Sequence, residues 1–219
     1  SSGAAAQFPW RRAIGYRAVR NRFAAGEEID YGDVLFETRR WDLPLTELED
    51  AEWQAIRDLF EEVGGRRLPF TFVEPGANLL AWSESLDEDV WAKSAGVSVN
   101  DGQLDPIGGS AATDLSAGGS WTVSQTIAAP ASRAFAASAW LKCNPTGSTL
   151  GLSDGAGQTK QLQIDGDDAW RLYELPWRQA SAAEQIILQI SGSGGATIGA
   201  YGLQVEPQLG RSSYKRTRE

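Results

Sequence analysis

Histidine and methionine are absent from the 219 residues, and cysteine occurs once, at Cys143. Without an imidazole the chain cannot form a Ser-His-Asp triad or a Cys-His pair, and most kinds of zinc site are excluded as well. A single cysteine makes no disulfide within the chain and no thiolate cluster for zinc or for iron and sulfur. These absences predict a protein without a cofactor, and they leave its redox compartment open.

Basic residues are also fewer than acidic ones, 20 against 29, which gives a formal charge of −9. This charge opposes attraction to the phosphates of nucleic acids, although an Arg-rich stretch at residues 11–22 reverses the sign locally. Long apolar runs are missing, and the first residues lack the basic-then-apolar pattern of an export signal. We therefore expect neither a nucleic-acid partner nor insertion into a membrane.

The length suits two domains, and the composition changes at Glu74-Pro75-Gly76. Arginine is frequent before this point, whereas glycine, serine and alanine are frequent after it. A Pro-Gly pair commonly interrupts regular structure. We predict a mainly β protein with one domain over residues 1–76 and a second over residues 77–219.

One helix is predicted in the first domain, over about residues 46–63. Thr46 and Glu49 have the spacing of a capping box, and Gly64-Gly65 provides an end. Between these points the apolar residues recur at three- and four-residue steps, as Leu48, Ala55, Ile56, Leu59, Phe60 and Val63. Half-buried strands are predicted at 34–45 and 68–73, so the helix should lie across their sheet. Residues 21–32 are expected to form a long loop or extended arm.

The second domain alternates short apolar runs with turn residues. Runs that predict strands lie at about residues 97–99, 111–115, 120–127, 134–142, 149–152, 160–164, 170–175, 185–191 and 197–205. Their spacing is typical of an antiparallel β-sandwich such as a jelly roll. No repeat period is present, which argues against a propeller or a solenoid.

The order of motifs in the first domain resembles a known family. These motifs are Tyr31-Gly32-Asp33, Arg39-Arg40-Trp41-Asp42-Leu43, Trp53-Gln54-Ala55-Ile56, Gly64-Gly65 and Phe70-Thr71-Phe72-Val73-Glu74-Pro75. They are similar to the N-terminal domain of tailed-phage distal tail proteins, including the lambda-type minor tail protein M. The resemblance implies a small β-sheet or split-barrel domain with one helix, assembled as a ring of copies, usually a hexamer. It further implies a place in the virion, after synthesis in the host cytoplasm, with the tail tube protein and the tail-tip hub protein as partners.

The second domain resembles a jelly-roll module of phage tail and appendage proteins. The motifs are Asn78-Leu79-Leu80, Trp82-Ser83-Glu84, Trp91-Ala92-Lys93, Ala139-Trp140-Leu141-Lys142, Trp170-Arg171-Leu172, Tyr201-Gly202-Leu203-Gln204-Val205-Glu206 and Ser213-Tyr214-Lys215-Arg216-Thr217. The last motif matches the way such modules end, so we expect a complete module. The module is similar in fold to carbohydrate-binding domains, and the resemblance therefore implies contact with host glycans as one use for it.

Nine tryptophans are available to hold sugar rings. Core positions are favoured for Trp140 and Trp170, which lie in apolar strands, and for Trp82 and Trp91 in the opening motif. Trp121 and Trp177 have polar, charged or proline neighbours, and they are the predicted glycan-binding candidates. A core position for these two stays open as the alternative.

Acidic residues suggest two further kinds of site. Asp165, Asp167 and Asp168 lie in one turn and could bind calcium through oxygen, although a solvated turn is favoured and no metal is predicted. Asp87 and Asp89 could act as the two carboxyl groups of a glycosidase, but an acidic loop is the favoured explanation. We therefore predict no catalytic residues and no enzyme.

Arg39, Arg40 and Trp41 are the predicted oligomer interface. Alternation along a strand directs the two arginines to opposite sides, and guanidinium groups are frequent in interfaces between proteins. The alternative is a pair of arginines exposed to water.

Together these observations predict a structural phage tail-tip protein that joins the tail tube to the hub and displays an outward jelly roll toward host glycans. Six weak sites on one ring would bind more strongly together than one site alone. Two alternatives stay open. One is a free-standing carbohydrate-binding protein, and the weaker one is a tail-associated glycan hydrolase.

Overall fold

The computed structural model describes residues 11–24, 26–45, 48–65, 67–68, 70, 74, 76–129, 133–145, 147–180 and 182–218. The protein is mainly β, with one helix, and it divides into two compact units. One unit ends at Gly65 and the other continues to the C-terminal end. Within these described ranges, no helix combines the length and the apolar character needed to cross a bilayer.

The first unit is built on a long two-stranded antiparallel hairpin. Strand β1 covers Arg11–Arg22 and strand β2 covers Glu28–Asp42. The register shifts between Tyr16 and Arg17, where β2 has extra residues and the ladder is interrupted. The expectation of a loop over residues 21–32 is therefore wrong, because only the short turn that joins β1 to β2 lies outside the strands.

Helix α1 covers Asp50–Glu62 and begins later than the predicted 46–63. Its N-cap is Glu49, whose backbone N–H donates to Glu52 Oε2 at 3.1 Å. A capping box is present, but it joins Glu49 to Glu52, whereas Thr46 lies outside the described residues. The predicted end is confirmed, because Gly64 and Gly65 have φ values of 60° and 69°.

The expected apolar stripe of α1 is not covered by the sheet. No residue of the helix is buried, and Trp53, Leu59 and Phe60 are exposed. From Arg11 to Gly65, Val63 is the only buried apolar side chain among the residues whose side-chain burial is described, which leaves out residues 17–19, 25, 30–37, 46 and 47. The expectation that α1 packs its stripe across two strands is therefore wrong for the single chain.

The strand expected after the helix is also not observed where the structure can be described. Leu68 and Phe70 lie outside any strand, and both side chains are exposed. Residues 71–73, which complete the predicted strand, lie outside the described residues. The described part of the first unit is therefore a two-stranded sheet and one helix.

The second unit is an antiparallel sandwich, and all nine predicted strands are present. The strands are β3 (Ala92–Lys93), β4 (Ser98–Gln103), β5 (Ala112–Ser116), β6 (Trp121–Ala128), β7 (Ala134–Asn144), β8 (Ser148–Ser153), β9 (Thr159–Ile164), β10 (Arg171–Arg178), β11 (Gln185–Gly192) and β12 (Thr197–Glu206). Sheet I has the order β10-β7-β12-β5-β4, and sheet II has the order β3-β6-β11-β8-β9. The two-residue strand β3 was not predicted, because it is too short to alternate.

The core lies between the inner faces of sheets I and II. Alternate residues of each strand face inward, as the period of two in a strand requires. The largest fully buried side chains are Leu80, Leu86, Trp91, Leu115, Phe135, Leu141, Leu150, Leu152, Ile164, Ile186, Leu188 and Ile190. Burial of these side chains stabilises the second unit by about 25 cal/mol per Å² of apolar surface.

Hydrogen bonds join two segments outside the strands to one end of the second unit. Asn78 accepts hydrogen bonds from the backbone N–H groups of Leu80 and Val205, and its Nδ2 donates to the carbonyls of Leu203 and Lys215. The C-terminal segment, residues 211–217, crosses the outer face of sheet I. Asn78 therefore joins the start of the unit to its last strand and to this segment.

Candidate functional site

Trp121 and Trp177 are not available for glycan binding at the surface. They are 2% and 5% exposed and belong to the core of the sandwich. Trp121 shares its side of β6 with Val123 and Ile127, and a Cβ on Gly192 would lie 2.3 Å from the Trp121 ring. The expectation that they are surface residues is wrong, because each is in phase with inward-facing neighbours.

Trp140 and Trp170, which were expected in the core, are only half-buried. Trp140 alternates with Ala139 and Leu141, which are buried, and it therefore faces outward from sheet I. Trp170 directly precedes β10 and lies beside Lys142 of β7, also on the outer face. The structure thus reverses the expected roles of the two tryptophan pairs.

The outer face of sheet I contains a row of residues that we call the Gly199 row. Cross-strand pairing joins Lys142 to Gly199, Gly199 to Asp114, and Asp114 to Asn100. Trp170 extends the row at one end, where its ring centroid lies 5.4 Å from Lys142 Nζ, a cation–π contact. From β10 to β4 the row crosses four strand spacings, about 19 Å.

Gly199 is necessary for the arrangement of this row. A Cβ at this position would lie 2.5 Å from Lys142 Cε and 3.1 Å from Asp114 Oδ1. The absence of a side chain therefore lets the Lys142 stem lie close to the sheet, between Trp170 and Asp114. No pattern in the sequence indicated this site, because its members come from four separate strands and one loop.

Asp114 contributes a polar atom without a partner. Its Oδ1 is shielded from solvent and accepts no hydrogen bond from any group in the described part of the chain. A shielded acceptor left unpaired costs about 1–3 kcal/mol. The row therefore combines an aromatic face, a cation and an unsatisfied carboxylate oxygen.

The C-terminal segment covers the neighbouring part of the same face. Tyr214 lies on Tyr201, with ring centroids 5.8 Å apart, and its hydroxyl is 2.8 Å from Ser83 Oγ. Burial raises the pKa of Tyr214 well above its usual value, which keeps the hydroxyl protonated. The Gly199 row is therefore bounded on this side by the segment.

The acidic turn is paired with an arginine. Arg171 donates to Asp165 at 2.7 Å and to Asp167, and the hydrogen bond to Asp167 is the main cause of the raised pKa of Arg171. Among the described residues, no group of three or more acidic or cysteine side chains is arranged to hold a metal. The Arg171 guanidinium thus neutralises Asp165 and Asp167, which argues against calcium as their partner, whereas Asp168 takes no part in these two contacts.

The second acidic pair is also arranged differently from the expectation. Asp87 lies near Asp101 of β4, and both burial and the neighbouring Asp87 raise the pKa of Asp101, against a hydrogen bond from Thr113 that lowers it. Lys93 Nζ donates to the carbonyls of Leu86, Asp87 and Glu88. The partner of Asp87 is thus Asp101 and not Asp89.

Arg39, Arg40 and Trp41 lie at the end of β2, opposite Ile14, Ala13 and Arg12 of β1. Arg40 Nε donates to Asp42 Oδ1 at 3.0 Å, on one side of the strand, and the Arg40 side chain is largely exposed. Trp41 is half-buried. Arg39 and Arg40 are both exposed, and the role of these three residues in an interface stays a prediction.

No protein-family model and no curated protein sequence matches the chain. Carbohydrate-binding modules are among the solved structures that are similar to part of the chain. TmCBM61, solved with β-1,4-galactotriose, is 17% identical, covers 60% of this chain and 99% of its own, and gives a TM-score of 0.45. The CBM22-1 xylan-binding domain of Xyn10C from Paenibacillus barcinonensis is 16% identical, covers 65% of this chain and 100% of its own, and gives 0.46.

A phage protein is among the similar structures as well. The enzymatically active domain of tailspike protein 4 from bacteriophage CBA120 is 17% identical and gives a TM-score of 0.48. The match covers 59% of this chain and 21% of the tailspike chain, so it concerns a small part of that protein. At such identities a likeness concerns the fold, and function has to be argued from the site itself.

Proposed function

We propose that the second unit binds carbohydrate on the outer face of sheet I, along the Gly199 row. The observation that carries this proposal is the row itself, in which a half-buried Trp170 lies against Lys142 and the pairing continues through Gly199 to Asp114. A sugar ring offers an apolar face that stacks on an indole and hydroxyl groups that donate to a carboxylate. This combination of one aromatic anchor and a few placed polar groups is typical of small-ligand sites.

Lys142 and Asn100 add donors on either side of Asp114. The Lys142 ammonium can donate to ring or hydroxyl oxygens of the sugar while its stem stays on Gly199. The row is about 19 Å long, which suits several linked sugars better than one. Binding without catalysis is the simplest use of these groups. A glycosidase needs two facing carboxyl groups, and Asp114 is the only carboxylate of the row.

A glycan array followed by calorimetric titration of the best ligand tests this proposal. Asp114→Asn and Trp170→Ala should each weaken binding about tenfold or more, which corresponds to about 1.4 kcal/mol. Ile107→Ala is the matched control, because Ile107 is 74% exposed and lies in a turn outside the Gly199 row. An absence of glycan binding, or equal affinities for all three variants, would contradict the proposal.

A second function is favoured by the exposed apolar side chains of the first unit. Trp53, Leu59 and Phe60 of α1 are exposed together with Ile14 and Tyr16 of the hairpin. We propose that further copies of the chain cover these residues in a ring within a phage tail, between the tail tube protein and the tail-tip hub protein. The charges support this, because the helix is mostly acidic and the hairpin carries many arginines.

Mass measurement in solution tests the ring. The protein should have a mass of several chains, and Trp53→Ser with Phe60→Ser should reduce it to a monomer. Leu104→Ser is the control, since Leu104 is an apolar residue of the second unit with 70% exposure. A monomeric wild-type protein at all accessible concentrations would remove the ring proposal without affecting the carbohydrate site.

A further inference from the structure

The outer face of sheet II has an unusual composition. Its outward residues are Ala92 on β3, Thr122, Ser124, Thr126 and Ala128 on β6, Gln185, Ile187, Gln189 and Ser191 on β11, Thr149, Gly151 and Ser153 on β8, and Thr159, Gln161 and Gln163 on β9. None of these side chains is charged, although charged residues make up 22% of the chain. We call this surface the neutral face.

The neutral face is arranged in regular rows across the strands. One row places Thr122 opposite Ser191, Ser191 opposite Thr149, and Thr149 opposite Gln163. Because neighbouring strands are about 4.8 Å apart, the hydroxyl and amide groups recur at that interval on a rigid support.

A second row crosses the middle of the face at Gly151. Here Ser124 is opposite Gln189, Gln189 is opposite Gly151, and Gly151 is opposite Gln161. A Cβ on Gly151 would lie 3.3 Å from Gln161 Cγ, so the glutamine stem packs closely over this glycine. This row therefore also consists of amide and hydroxyl groups, with the Gln161 stem over Gly151.

The composition of the neutral face indicates which class of partner it can bind. Anionic polymers and nucleic acids are bound through Lys and Arg, and the neutral face has neither. Protein interfaces are built around apolar and aromatic side chains, whereas Ile187 is the only large apolar residue of the neutral face. A neutral polysaccharide matches the face in charge and in its dense, repeated hydroxyl groups.

We propose that the neutral face is a second carbohydrate-binding surface, specific for neutral polysaccharides. It lies on the opposite side of the sandwich from the Gly199 row and does not depend on the proposed function of that row. Two such surfaces on one unit would let it bridge two polymer chains.

The test first disables binding at the Gly199 row, so that binding to the neutral face is measured separately. Trp170→Ala protein is run in native gels that contain hydroxyethyl cellulose, dextran, galactan, xylan or, as the anionic polymer, polygalacturonate. Mobility is compared with that in a polymer-free gel. We expect retardation by at least one neutral polymer and none by polygalacturonate.

Charge placed on the face should abolish this retardation. Ser124→Arg with Thr149→Arg puts two guanidinium groups on the neutral face, whereas Ser110→Arg with Ser213→Arg adds the same charge at exposed positions outside it. The first pair should weaken binding at least tenfold and the second should not. The proposal is overturned if no neutral polymer retards the protein, or if both pairs have the same effect.

If the arginine variants do not fold, an NMR measurement on protein with an unchanged neutral face still tests the proposal. Amide chemical shifts of ¹⁵N-labelled Trp170→Ala protein are followed while the retarding polymer is added. Shifts confined to β6, β8, β9 and β11 support the proposal. Shifts confined to sheet I, or a doubled mass that indicates self-association through this face, overturn it.

Discussion

Gly192 lies directly under the indole ring of Trp121, so that a Cβ at this glycine would be 2.3 Å from Trp121 Cε2. The ring therefore rests on the backbone of the neighbouring strand β11, where any side chain would displace it. This contact explains why a tryptophan at the start of β6 is buried although its sequence neighbours are polar.

Gly192→Ala should lower the free energy of unfolding of the second unit by about 1–3 kcal/mol, because the added methyl group overpacks the site. Urea denaturation followed by tryptophan fluorescence measures this change. Gly118→Ala is the control, since nothing lies within 4 Å of a Cβ there. Equal stabilities of the two variants would show that the Trp121 ring moves aside without cost.

Asp105 should make the second unit sensitive to acid. Its carboxylate accepts from the backbone N–H groups of Ile107, Gly109 and Ala111, at 3.0, 2.8 and 3.2 Å. Burial by itself would raise the pKa of Asp105, but the hydrogen bonds from these backbone groups outweigh it and lower the pKa. The stabilisation is therefore complete above the unfolded pKa, about 3.9, and is lost as the pH falls through the lower folded value.

The difference in stability between the wild-type protein and Asp105→Asn should follow this titration. We expect the wild type to be more stable at neutral pH, and we expect the difference to shrink as the pH is lowered below about 3.9. Urea midpoints at a series of pH values measure it. A difference that stays constant with pH would contradict the role assigned to the carboxylate.

Glu206 should hold the C-terminal segment on sheet I. Its side chain is fully buried and accepts from Ser212 N at 2.8 Å, Ser212 Oγ at 2.5 Å and Lys215 Nζ at 3.3 Å. Glu206→Gln replaces an acceptor oxygen by a donor and should lower the free energy of unfolding by about 1–3 kcal/mol. It should also make residues 211–217 more accessible to protease.

The control for this prediction is Glu174→Gln. Glu174 pairs with Arg211 of the same segment, but both side chains are partly exposed to water. Exposed ion pairs contribute at most about 1 kcal/mol, so this variant should resemble the wild type. A larger loss of stability in Glu174→Gln than in Glu206→Gln would contradict this ranking of the two carboxylates.

Calcium should not stabilise the protein through the acidic turn. Arg171 already neutralises Asp165 and Asp167, and a divalent ion would have to displace the guanidinium. The melting temperature should therefore be the same with calcium and with a chelator. Arg171→Ala should leave the turn open to cations, so a calcium-dependent rise confined to that variant would support the assignment.

The sandwich was predictable because its strands alternate buried and exposed residues in the printed sequence. The same alternation also shows which tryptophans face the core and which face outward. Trp121 is in phase with Val123 and Ile127, whereas Trp140 is in phase with Ser138 and Lys142. Judging each tryptophan by its immediate neighbours, and not by its phase along the strand, led to the wrong assignment.

Other features had no signal in the sequence. The hairpin of β1 and β2 is largely exposed where its side chains are described, so burial does not impose an apolar pattern on it. The meeting of Asp114, Lys142 and Gly199 depends on the register of three strands that are distant in the chain. Register of this kind is decided by packing and not by local preference.

Asn78 has a consequence for the way this sandwich can be used. Because one amide group holds both the first residues of the unit and the segment that follows its last strand, the chain enters and leaves at neighbouring points. A cassette with adjacent ends can be grafted into a surface loop of an unrelated scaffold without forcing that scaffold apart. The sandwich is therefore suited to transfer between proteins as a single insert.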